Sequence, residues 1–184
     1  NQLNELCKGF TVFTIGSSAG GFAALLFGSL IKAKRVYAFN GQLDLNIIIK
    51  DSSSFKDPIL FRYQYDESRS EFYQVSNFLN SSTKYFYFQS AKSEMDIVQY
   101  ETCSKKSLLK KIEFSTSNHG FPFLRHNLLF VLGLSEDELE EMTKDKLHPF
   151  VFSLKVDGFW KAVYLSGKAV LLRLKKKWYD EKLV

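Results

Sequence analysis

At 184 residues and 45% apolar content, the chain is long enough for one well-buried core and lies within the size range of one domain. Its net charge of +5 is modest, the basic excess gathers near the C-terminus, and no nucleic-acid motif accompanies it, so nucleic acid is not an expected partner. Cys7 and Cys103 make neither a disulfide framework nor a metal-ligand spacing, and no apolar run is long enough to span a bilayer; no metal, no cofactor and a cytoplasmic setting are therefore expected.

The chain opens on Asn1 and reaches its most informative motif by Gly20, which suggests that an N-terminal portion is missing. Phe10 to Ile15 is a β-branched and aromatic run closed by Gly16, read as a strand buried on both faces. Gly20 to Ala33 is apolar around most of its circumference and reads as a helix packed into the interior. Arg35 to Phe39 is a second strand, and a right-handed crossover makes the pair parallel. Residues 41–71 break into Asp, Ser, Pro and aromatic residues, an irregular excursion of the kind that covers sites as a lid.

Phe72 to Leu79 reads as a short helix, Lys84 to Gln89 as a third strand and Ser90 to Met95 as a polar loop, so that Asp96 stands just past a strand. Ile97 to Leu109 is expected to be helical and Lys111 to Phe114 to be a fourth strand. The loop Ser115 to Gly120 then places His119 beyond that strand. Helical spacing resumes from Pro122 to Lys146, with Ser135 capping Glu136, Asp137 and Glu138, and His148-Pro149 ends it. The tail, residues 151–184, is apolar and basic and reads as one strand-like piece and one helix. The whole is an α/β domain with a mostly parallel sheet flanked by helices.

Gly16-Ser17-Ser18-Ala19-Gly20 is a Gly-x-Ser-x-Gly turn between a strand and a helix. Such a turn holds its serine on a sharp bend, exposes the hydroxyl, and aims the N–H of the next residue, Ala19, at a developing oxyanion. A serine hydroxyl needs a base, and the base needs a group to fix its tautomer. A parallel sheet brings Asp96 and His119 to the carboxyl edge that carries Ser18. Glu94 and Asp44 are rival acids, Ser17 is the rival hydroxyl, and each candidate has a plainer reading: Ser18 or Asp96 as a helix cap, His119 as a loop histidine. His126 and His148 read as packing or solvent-exposed residues.

GSSAGG resembles the nucleophile elbow of the α/β-hydrolases, SEMDIV their acid loop and SNHGF their histidine loop, in the family's order, over roughly residues 8 to 130. The resemblance implies acyl-group chemistry through an acyl-enzyme, with Ser18 as nucleophile, His119 as base, Asp96 as orienter and Ala19 as an oxyanion donor. The family's strands before the elbow, and the second oxyanion donor they carry, are absent from the sequence. A more distant similarity, in YAF after the GSSAGG helix, is to proteins of bacterial surface-polysaccharide and glycoprotein-export systems, some of which acylate or deacylate glycans. It implies a small-molecule or glycan acyl substrate. The competing reading is a hydrolase-like domain whose site is retired and whose basic tail binds a partner.

Two aromatic features have double readings. Tyr63, Tyr65, Phe72 and Tyr73 can stack on a sugar or simply pack in a lid. Ala169 to Trp178 has the composition of a helix lying on an anionic membrane. The expectation is instead a solvated helix whose Leu171, Leu172 and Leu174 pack on the sheet, leaving peripheral membrane contact as the alternative.

Overall fold

The computed structural model describes residues 2–50 and 67–182. At its centre lies a parallel sheet of β1 (Phe13–Ser17), β2 (Arg35–Phe39), β3 (Lys84–Ser90) and β4 (Leu109–Phe114), paired in that order. Because every pair is parallel, the chain must return along a face of the sheet between strands. Helix α2 (Ala19–Leu30) makes the first return. The second contains α3 (Leu45–Lys50) and the 3-10 turns Glu67–Tyr73 and Val75–Asn77, and the third contains α4 (Glu94–Glu101). A short α1 (Gln2–Leu6) precedes the sheet. After β4 come a 3-10 turn at Arg125–Asn127, then α5 (Leu128–Gly133), α6 (Glu136–Glu141), α7 (Pro149–Asp157) and α8 (Phe159–Lys182).

The alternation along β3 shows how the sequence divides the core. Successive strand residues point to opposite faces, so Tyr85 and Tyr87 join Leu25, Val36 and Ala38 on the α2 side, while Phe86 and Phe88 join Phe39, Ile112, Phe114 and Phe152 on the other. The tyrosines stand where their polar tips find partners. Tyr85 Oη meets Ser29 Oγ at 2.8 Å, and Tyr87 donates to the Gly41 carbonyl at 2.8 Å. The other face also buries Tyr37, whose Oη accepts from Arg35 Nη1 at 3.3 Å, and its phenylalanines meet ring to ring, Phe39 tilted against Phe88 at 4.7 Å and Phe114 edge-on to Phe152 at 5.4 Å.

Several elements differ from the sequence expectation. β1 runs from Phe13 through Gly16 to Ser17, and it is not buried on both faces: Phe13 and Ile15, which share a face, are 49% and 45% exposed, and β1 is the outermost strand on its side of the sheet among the described residues. Its other face packs, with Thr14 Oγ1 donating to the Ala24 carbonyl at 2.8 Å. Helix α2 buries Phe22, Leu25 and Leu26 but leaves Phe27 and Leu30 exposed. Phe72 to Leu79 forms 3-10 turns, not an α-helix. The helix before β4 starts earlier than expected, at Glu94, and stops at Glu101. The Pro122 to Lys146 stretch divides between α5 and α6, with Ser135 capping α6 in a reciprocal box with Glu138. The tail has no strand among its described residues. Pro149 starts α7 and does not merely end the segment before it, since proline suits the first helical turn, and Gly158 at φ 77° separates α7 from α8. Leu171 and Leu172 point to solvent, not onto the sheet. The excursion at 41–71, with Tyr63 and Tyr65, lies largely outside the described residues; Phe72 stacks on Phe78 at 5.3 Å.

Candidate active site

Ser18 sits between β1 and α2 at φ 56°, ψ −124°, a left-handed conformation that a non-glycine residue rarely adopts. The bend is fixed by backbone bonds on both of its sides. Ser18 N–H donates to the Phe39 carbonyl at 3.0 Å, and the Ser18 carbonyl accepts from Gly21 and Phe22 of α2 and from Gln42. Two glycines make the geometry possible. A Cβ on Gly16 would lie 1.9 Å from the Gly20 carbonyl oxygen, and one on Gly21 would lie 2.6 Å from the Gly41 Cα, whereas Gly20 faces open space. The strict steric requirement therefore falls on Gly16 and Gly21, and not on both glycines of the motif. Ala19 is the first residue of α2, where backbone N–H groups have no intrahelical acceptor and the helix dipole is positive.

The loop after β4 brings His119 to this bend. Its Nε2 lies 2.7 Å from Ser18 Oγ and its Nδ1 lies 2.8 Å from Asp96 Oδ1. Asp96 is in the first turn of α4, only 1% exposed, and is not that helix's cap, since Ser93 occupies the N-cap position. The three side chains placed by order alone thus meet in one continuous relay. The hydrogen bond to Asp96 raises the His119 pKa above its ordinary 6.5, against the opposing effect of burial. Asp96 Oδ2 is buried without a hydrogen-bond partner in the described structure.

The rivals serve elsewhere. Asp44 accepts hydrogen bonds from Asn46 N–H and Nδ2 and from Gln74 Nε2, organising the start of α3. Glu94 is exposed. His126 Nε2 is paired with Asp157 Oδ2 at 2.6 Å, and His148 is the N-cap residue of α7. Among the described residues, no three His, Cys, Asp or Glu side chains gather as a metal site would require.

Asn40 and Ser90 were not singled out by the sequence, yet they anchor the histidine loop. Asn40 directly follows β2 at φ 43° and is buried. Its amide N–H groups are shared among Ser90 Oγ at 2.8 Å and the carbonyls of Asn118 and Gly120, both at 3.1 Å, while its Oδ1 accepts from Ser90 N–H at 2.7 Å. Ser90 Oγ in turn donates to the Asn118 carbonyl at 2.7 Å. The two carbonyls that flank His119 are thus tied to the ends of β2 and β3. Phe121, 4.8 Å from Phe39, fastens the same loop to the core. Gln99 performs the matching task beneath the acid: its Oε1 accepts from the N–H groups of Leu43 and Asp44, joining α4 to the segment after β2. The only signal available in the sequence was a polar residue directly after a buried strand.

Beside the histidine loop lies a cavity of about 340 Å³ walled by Phe121, Pro122, Phe123, Leu124, Phe150 and Val170, with Thr116, Asn118 and His148 among its polar residues. No family model, curated protein or solved structure matches the chain.

Proposed function

We propose that the chain is a serine esterase or acyltransferase of α/β-hydrolase type, with Ser18 as nucleophile. One observation carries the reading: a serine held at positive φ at a strand-to-helix bend, its Oγ 2.7 Å from an imidazole whose other nitrogen is 2.8 Å from a buried carboxylate. In this reading Ser18 Oγ attacks the carbonyl carbon of an ester while His119 Nε2 takes the hydroxyl proton. Asp96 keeps the imidazole in the tautomer that can accept that proton and stabilises the imidazolium that results. The carbonyl oxygen becomes an oxyanion, which the Ala19 N–H and the α2 dipole favour. Collapse breaks the ester C–O bond, His119 returns the proton to the leaving alcohol, and Ser18 keeps the acyl group. A water or acceptor hydroxyl then repeats the sequence in reverse. A glycan hydroxyl is the acceptor or leaving group suggested by the more distant sequence similarity.

The reading is tested by fluorophosphonate labelling and by turnover of an activated acetyl ester. Wild type is expected to label, Ser18→Ala and His119→Ala are expected not to, and ester turnover in Ser18→Ala should fall by about 10⁴-fold or more. Labelling that persists in Ser18→Ala would reject the assignment. A folded wild type that fails to label would favour the retired-site reading.

A further inference from the structure

Helix α8 buries one side of its first three turns against the protein. Ala162 is fully buried and Leu165, Ser166 and Ala169 are partly so, a three- and four-residue rhythm that marks the inner face. On the opposite side Trp160, Tyr164, Leu171 and Trp178 form a stripe along the axis, 82%, 67%, 60% and 51% exposed. Lys161, Lys168 and Lys175, all exposed, recur every seventh residue along one flank of that stripe. Residues 159–178 carry six cations and no acid.

We propose that α8 lies in the plane of an anionic phospholipid surface, with the stripe turned toward the acyl boundary and Lys168 and Lys175 on the headgroups, Lys161 being held by Asp157 at 2.8 Å. Tryptophan and tyrosine favour that depth, because each joins an apolar ring to a hydrogen-bonding tip. Lysine stems extend along apolar surface while their ammonium groups reach the phosphates. The single sign of charge matches an anionic leaflet. A helix-to-helix seam fits less well: it would want aliphatic knobs at the positions held by Trp160, Tyr164 and Trp178, and Gly167 falls within the stripe. Among the described residues no helix is long and apolar enough to cross a membrane, so the helix would lie on the surface without spanning it.

The test is cosedimentation with phosphatidylcholine vesicles, with and without about a third phosphatidylserine, read together with tryptophan emission. The chain is expected to bind the anionic vesicles with a blue shift and to leave the neutral ones. Lys168→Gln with Lys175→Gln should weaken binding by about 25-fold, roughly fivefold for each cation lost. Trp160→Ser with Leu171→Ser should abolish binding without altering the circular dichroism spectrum, since both side chains point to solvent. Equal binding to both vesicle types, or none to either, would overturn the proposal. So would self-association, seen by sedimentation velocity, that is lost in the Trp160/Leu171 variant while vesicles remain unbound. Neither readout depends on an active Ser18.

Discussion

Asp96 acts on His119 in two ways that can be measured separately. Its hydrogen bond raises the imidazole pKa above 6.5, and under the mechanism proposed above attack by Ser18 requires the neutral ring, so acyl transfer by that route should rise with pH to a midpoint above 6.5. The stabilisation that this bond gives the fold runs the opposite way. It is complete below the ordinary histidine pKa and is lost as pH rises through the raised one. In Asp96→Asn the midpoint of the pH–rate profile should fall and the plateau rate should drop by about 10⁴-fold. Asn40→Ala should lower kcat while leaving fluorophosphonate labelling detectable but slow, because the Gly120 carbonyl loses its bond to Asn40 and the Asn118 carbonyl keeps the one to Ser90, while His119 itself remains. At the elbow, Gly20→Ala should fold and label like wild type. Gly16→Ala should do neither, because its Cβ would meet a backbone carbonyl at 1.9 Å. The bend at Ser18 was legible in the sequence because a Gly-x-Ser-x-Gly turn is a local motif. Asn40 was not, because its partners lie some 50 to 80 residues away and nothing beside it in sequence announces them.

Strands and helices were legible to the degree that their burial was uniform. β2 and β3, enclosed on both faces, fall where the aromatic runs put them, while β1, half exposed and outermost among the described residues, begins at Phe13 and ends at Ser17, later at both ends than its apolar run. The tail was misread because the same residue, Pro149, can stop one helix and start another. The packing of that tail rests on a cluster the sequence did not reveal. Asp157 accepts from His126 at 2.6 Å, from Ser153 at 3.0 Å and from Lys161 at 2.8 Å, joining α7 to the turn at Arg125–Asn127 and to α8. Burial works to raise the Asp157 pKa, but the hydrogen bonds from Lys161, His126 and Ser153 outweigh it and hold the pKa below the usual carboxylate value. The stability this contributes is present above the ordinary aspartate pKa and disappears as pH falls through the depressed one. Asp157→Ala should cost about 2 kcal/mol in urea unfolding at neutral pH, and the difference from wild type should shrink on acidification.

Across the whole molecule, the hydrogen-bonded order β1-β2-β3-β4 puts the strand that leads into Ser18 at an outer position among the described residues, while Asp96 and His119 follow the inner strand β3 and the strand β4. Ser18 is thus a cantilever: its bend is bonded to Phe39 and α2, but among the described residues the strand leading into it has a hydrogen-bonded neighbour on one flank alone. Edge strands open at lower free energy than those enclosed on both sides. The amides of β1 should therefore exchange with deuterium well before those of β3. Mild urea should consequently silence the serine toward the fluorophosphonate at a concentration where far-ultraviolet ellipticity is still intact, so that chemical competence would be the first property lost, ahead of the fold that supports it.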